Sequence, residues 1–193
     1  MNKFEMTMSV QEVLLVNEQD EPLGTMEKMA AHEQGLLHRA FSVFVFDGAG
    51  RMLLQQRAAQ KYHGGGLWTN TCCSHPYPDE AVETAARRRL QEEMGFETPL
   101  EKIFAFTYRA DVENGLVEHE YDHVFAGQYD GPMELNAEEV ADSRYMEMEA
   151  IEDWIIAEPA AFTSWFRIAF PMVQAWWQQQ FGNATVRKMA EKV

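Results

Sequence analysis

Two turn dipeptides limit what this chain can fold into. Asp47-Gly48 lies between the runs Arg39–Phe46 and Met52–Gln56, and Asn114-Gly115 lies between Ile103–Ala110 and Leu116–Ala126. The runs show period-2 patterning with frequent β-branched and aromatic residues, the mark of strands. Asp-Gly and Asn-Gly supply the positive φ of a tight hairpin, so two antiparallel hairpins are predicted, with a further strand at Glu12–Val16. Between the hairpins lies one strong helix, Asp79–Met94, with Pro78 ahead of an Asp79 N-cap and Gly95 just past its end. Val82, Ala86, Leu90 and Met94 form its apolar stripe. Further helices are expected around Ala150–Ile156 and Phe162–Phe181, separated by Pro159. Hairpins around one helix imply an α+β fold with antiparallel or mixed sheets rather than a parallel βαβ sheet, the C-terminal helices covering one face. No repeat or Pro/Ser linker divides the 193 residues, so a single domain over residues 1–193 is expected, with mobile termini and a mobile loop at Lys61–Gly66.

Charge narrows the function. With 31 acidic and 16 basic residues the formal charge is −15, which argues against nucleic acid or an anionic membrane as partner. An anionic ligand would need metal ions to help. Cys72 and Cys73 are adjacent, which excludes a secreted disulfide framework and suits a reducing compartment. The first residues, MNKFEMTMSVQEV, hold no apolar signal core, and no run of 18 apolar residues occurs, so a cytoplasmic location is expected. A monomer is expected.

Three segments carry chemistry. Gly64-Gly65-Gly66 reads either as a flexible loop or as a place where backbone amides approach a phosphate, although it lacks the Lys-Ser/Thr ending of a P-loop. The central helix reads E-A-V-E-T-A-A-R-R-R-L-Q-E-E-M-G-F from Glu80. Its Arg88-Glu92 and Arg89-Glu93 pairs would serve as solvated i, i+4 ion pairs on any amphipathic helix. The same residues resemble a degenerate Nudix box, with Glu80, Arg88, Leu90, Glu92, Glu93 and Gly95 in register, Ser74 in place of the first glycine and Arg89 in place of a metal-binding glutamate. The stretch W-T-N-T-C-C-S-H-P at Trp68–Pro76 resembles the cysteine motif of type I isopentenyl diphosphate isomerases, which carry a Nudix fold with an altered hydrolytic box. Further matches are E-K-x-A-A-H at Glu27–His32, L-H-R-A-F-S at Leu37–Ser42, Q-R-x-x-x-K at Gln56–Lys61, Y-R-A at Tyr108–Ala110, E-H-E at Glu118–Glu120 and S-W-F at Ser164–Phe166.

The resemblance implies an isomerase interconverting isopentenyl and dimethylallyl diphosphate in isoprenoid biosynthesis. It makes Cys73 and Glu120 the acid/base pair, Tyr108 the group that orients or relays the proton at the glutamate, and Trp165 the ring that stabilises a carbocation. His32, His38, His75, Glu118 and Glu120 match the family's metal ligands, a set suited to Mn²⁺, Mg²⁺ or Zn²⁺. Lys28, Arg57, Lys61 and Arg89 match residues that hold the prenyl diphosphate, and Glu93 one that helps hold a Mg²⁺ carried in with it. His119, two-sided between Glu118 and Glu120 on a strand, should point away from the site. Cys72 should pack as a small apolar residue, and Trp176 and Trp177 should pack a helix. Two other readings stand beside this one: a hydrolase of diphosphate-linked nucleotides holding Mg²⁺ on Glu92 and Glu93, and a silent module that senses a prenyl diphosphate.

Overall fold

The computed structural model describes residues 11–190, with side chains to 181. The termini whose mobility the sequence suggests lie largely outside the described residues. Strand β1 (Glu12–Val16) pairs with β2 (Pro22–Glu27), and helix α1 (Lys28–Gln34) leads into β3 (His38–Phe46) and β4 (Met52–Arg57). Short strands β5 (Trp68–Thr69) and β6 (Cys72–Ser74) precede helix α2 (Val82–Met94). The long hairpin of β7 (Leu100–Asp111) and β8 (Val117–Gln128), then β9 (Val140–Met146), α3 (Met148–Ala157) and α4 (Ser164–Ala190), complete the order.

The second hairpin forms as predicted, with Asn114 (φ 64°) and Gly115 (φ 73°) both left-handed at its tip. The first opens almost at once. Strands β3 and β4 share only the Phe46–Met52 pair; β3 then runs parallel to β8 from His38–Glu120 to Phe46–Gln128, while β4 pairs with β9. The sheet is therefore mixed, and its central strand pair is parallel. The cause is legible in β3, where Phe41, Val43 and Val45 are buried with α2 and Phe44 and Phe46 with α3 and α4: a strand covered on both faces belongs at the centre of a sheet. The tight turn uses Gly50 (φ 86°) rather than Gly48, because the Asp47 side chain accepts from the amides of Ala49 (3.0 Å) and Arg51 (2.8 Å) and carries the chain past Gly48 without positive φ.

Helix α2 begins at Val82 with Ala81 at its cap, three residues later than the Asp79 start expected. Residues 77–80 form a turn instead, closed by the Glu80 amide on the Tyr77 carbonyl (3.0 Å), and Glu80 reaches Arg88 with both carboxylate oxygens at 2.8 Å. Its C-terminus is capped by Gly95 in the left-handed region (φ 75°), where a Cβ would run into the Glu134 carbonyl. On the other face of the sheet, Trp177 donates to the Gly50 carbonyl (2.8 Å) and Trp176 packs on Phe46, as the packing role predicts. Among the described residues no helix is long and apolar enough to cross a membrane.

Candidate active site

The parallel centre of the sheet builds the site. Glu118 and Glu120 alternate on β8 and so face one side. Register then sets Glu120 between His38 on β3 and Tyr108 on β7, its partners across the two ladders. Strand β6, on the other edge of β3, pairs Cys73 with Ser42 and delivers His75 just beyond its end. Helix α1 contributes Lys28 and His32 one turn apart; Glu27 caps it by accepting from the amides of Met29 (2.9 Å) and Ala30 (2.7 Å).

His32, His38, His75 and Glu120 are all buried, and one ligand atom of each lies within 4.8 Å of the others. His32 and His38 give their Nδ1–H to the carbonyls of Lys28 (2.7 Å) and Leu36 (2.8 Å), because a carbonyl can only accept, and their Nε2 lone pairs therefore face inward. His75 Nε2 lies 2.8 Å from Glu120 Oε1 and 3.2 Å from His38 Nε2. Buried imidazole lone pairs and carboxylates converging on one point suit a divalent cation, and His32 Nε2 has no hydrogen-bond partner among the described residues. Glu118 joins the group through His32, 3.4 Å away. His119 does turn away, to the Gly35 carbonyl (2.9 Å).

Protonation states follow from burial and neighbours. Burial pushes the Glu120 carboxyl up, but the adjacent His38 and His75 imidazoles outweigh it and hold the group well below the usual carboxylate range. Burial takes His75 down to about 4 and pushes the Cys73 thiol up to about 12, so the imidazole is neutral and the thiol keeps its proton. Tyr108, raised by burial and by the charge of Glu120, donates to Glu120 Oε2 at 2.6 Å. Cys73, Tyr108, Glu118, Glu120 and Trp165 line one cavity of about 650 Å³, while Cys72 is fully buried beneath α2.

Five of the chain's 16 cationic side chains line the same cavity: Lys28, Arg57, Lys61, Arg88 and Arg89. Burial and then the charges of Lys61, Arg89 and Arg57 lower Lys28 to about 8, although Glu118 pulls the other way. Crowded cations of this kind suit a polyanion. Sequence reasoning missed Glu139, which pairs with both Lys61 and Arg89 (2.8 Å to the latter), and His63, whose Nε2 lies 2.6 Å from Glu118 Oε1. Neither stands in a matched motif; the K-Y-H-G-G-G context of His63 was the one available signal. Arg89 holds Glu92 (2.8 Å) and Glu93 (2.6 Å), so the solvated-pair reading of the helix is too bland. The Lys61–Gly66 loop is pinned by Lys61 N to Ala58 O (3.2 Å) and Gly66 N to Arg57 O (3.0 Å), and the Gly64 amide is taken by Glu113 Oε2 at 3.2 Å rather than left free. Gly65 packs so closely on the Ala59 carbonyl that a Cβ would meet it at 2.5 Å.

Comparison with known proteins agrees with this architecture. A NUDIX domain model matches residues 36–166. The chain is 52% identical over 169 residues to a protein of Burkholderia multivorans named isopentenyl-diphosphate Delta-isomerase, covering 85% of this chain and 96% of that one. It is 47% identical over 171 residues to a protein of the same name from Pectobacterium atrosepticum, covering 89% and 96%. Among solved structures, a Deinococcus radiodurans protein aligns with a TM-score of 0.64 at 19% identity over 76% of this chain and 90% of its own. A MutT protein from Methanosarcina mazei aligns at 0.60 and 17% over 72% and 94%. The chain belongs to the NUDIX family and, within it, to the isopentenyl-diphosphate Delta-isomerases.

Proposed function

We propose that the protein interconverts isopentenyl diphosphate and dimethylallyl diphosphate by proton transfer. The alkene of isopentenyl diphosphate has no neighbouring carbonyl to acidify its C–H bonds. Moving the double bond by one carbon therefore starts with protonation of the terminal CH₂, which leaves a tertiary carbocation; loss of a proton from the adjacent CH₂ gives the allylic product. No bond to phosphorus changes. The observation that carries the reading is that a protonated thiol, Cys73, and an ionised carboxylate, Glu120, line one cavity with the cation cluster.

Cys73 and Glu120 are the acid/base pair, and the Tyr108 hydroxyl orients the Glu120 carboxylate through its 2.6 Å hydrogen bond. Trp165 offers its π face to the cation, a contact of roughly 2 kcal/mol or more when desolvated. Arg57 lies over the same ring at 5.1 Å from its centroid, so the tryptophan links the cation site to the phosphate residues. Lys28, Arg57, Lys61 and Arg89 hold the diphosphate, the guanidinium groups through paired N–H donors. His32, His38, His75, Glu118 and Glu120 would hold a divalent ion, Mn²⁺, Mg²⁺ or Zn²⁺, whose positive charge would tune the acidity of Glu120. Glu93, buried and bonded to Gln55 (2.9 Å), lies beside Arg89 where a Mg²⁺ brought with the diphosphate is to be held. The ligand is a small prenyl diphosphate rather than nucleic acid or a membrane, and the enzyme works as a cytoplasmic, single-domain monomer.

The test is incubation with isopentenyl diphosphate and Mg²⁺ in D₂O, followed by NMR. Deuterium in dimethylallyl diphosphate without released phosphate is expected. Phosphate release alone would indicate a hydrolase, and no change a binding module; either would overturn the proposal.

A further inference from the structure

The Glu118 carboxylate divides its two oxygens. Oε2 faces His32 Nε2 at 3.4 Å, and Oε1 faces His63 Nε2 at 2.6 Å. His63 comes from the loop between β4 and β5, two residues after Lys61, yet it is 5% exposed. A nitrogen and a carboxylate oxygen this close are in direct polar contact. Neither nitrogen of the ring makes a hydrogen bond among the described residues, so the close approach to Glu118 is the polar engagement that brings this imidazole inside. His63 also touches the phosphate side of the cavity. Its carbonyl accepts from Arg57 Nη2 (3.1 Å), and its ring stands edge-on to Trp165 at 5.4 Å.

We propose that His63 is a positioning residue of the metal centre, fixing Glu118 from the substrate loop so that the carboxylate's other oxygen is presented alongside His32. This rests on the metal reading given above. Ligating carboxylates need partners of their own to hold their orientation, and losing such a partner weakens metal binding by about 10–100-fold. Glu118 lies on β8 while its partner arrives on the loop that carries Lys61, so the geometry of the metal centre depends on how that loop is seated.

The experiment is titration of the metal-free protein with Mn²⁺ alone, without diphosphate, following free Mn²⁺ by electron paramagnetic resonance. The unmodified chain, His63→Ala and His63→Gln are compared. Glutamine places an N–H at nearly the reach of imidazole Nε2. We expect His63→Ala to weaken Mn²⁺ affinity by at least about 10-fold and His63→Gln to keep it within about threefold of the unmodified chain. Equal affinity in all three proteins would overturn the inference alone, and failure of glutamine to rescue would overturn the positioning role in favour of direct ligation. No Mn²⁺ binding by the unmodified chain would instead overturn the metal reading on which it rests.

Discussion

Adjacent cysteines with opposite fates make the sharpest residue-scale contrast. Cys73 faces the cavity with a thiol raised to about 12, while Cys72 is fully buried among Phe41, Val43 and Leu90. Cys73→Ala and Glu120→Gln are each expected to lower kcat by about 1,000-fold or more, the scale of a lost general acid or base. Cys72→Ala should leave kcat within about threefold and cost about 1 kcal/mol of stability, measured by urea unfolding. Glu139 gives a prediction in pH. Burial alone would raise its carboxyl, but hydrogen bonds to Arg89 and Lys61 hold it down at about 2. A depressed folded-state value stabilises the protein above the unfolded value near 4.5, and that contribution disappears as the pH falls toward 2. Discounted for its position at the cavity rim, it is worth about 1–2 kcal/mol. Glu139→Gln should therefore lower unfolding free energy most above pH 5, with the gap to the unmodified chain closing as acid is added; a gap that stays constant with pH would exclude this account.

The end of α2 couples stability to the site at the scale of elements. Beyond Gly95 the chain returns to the helix, with Glu134 N on the Met94 carbonyl (3.2 Å) and Asn136 N on the Glu93 carbonyl (2.9 Å), and this strap leads to Glu139. A Cβ at position 95 would both strain a left-handed residue and push the strap away. Gly95→Ala is expected to cost about 2–4 kcal/mol by denaturant unfolding, because the Glu134 backbone must shift to make room. Elements with a strong local signal were legible in the sequence. β1 matches its predicted span, the β7–β8 hairpin forms on Asn114-Gly115, and α2 carries its apolar stripe into the core. Elements stabilised from a distance were not. Helix α1 has seven residues and a glutamate cap, β6 has three residues, and β9 buries only Val140 and pairs with β4 alone. The β3–β8 pairing joins segments some 80 positions apart, too far for any turn motif to announce, as in the bond from Ser42 to Asp122. Motif resemblance placed Lys28 and His32 beside Glu118 without knowing the helix that carries them. His63 and Glu139 escaped because a lone histidine in a glycine-rich loop and a glutamate in an acidic run have no local signature.

For the molecule as a whole, a chain of charge −15 gathers five cations around one cavity and buries His32, His38, His75, Glu118 and Glu120 beside them. Assembling both clusters carries a desolvation cost. The carboxylates give up hydration, and burial, aided by the charges of Lys61 and Arg89, takes Lys28 down to about 8. Ligands of opposite charge should then stabilise the fold out of proportion to their size. A divalent ion that binds the assembled His/Glu set and not the unfolded chain adds RT ln(1 + [M]/Kd), about 2.7 kcal/mol at a hundredfold excess over Kd. In a protein of this length that corresponds to a rise in Tm of about 5–10 °C. Calorimetry with Mn²⁺ should show this rise and chelation should remove it, whereas His32→Ala should lose most of the response. A Tm indifferent to metal and chelator would mean that the buried cluster is compensated within the protein by His–carboxylate pairing alone. Inorganic pyrophosphate should add a second increment only where Arg89 and Lys61 are intact, because it replaces Glu139 as their counter-ion. The two increments would then separate the metal centre from the phosphate cradle within one fold.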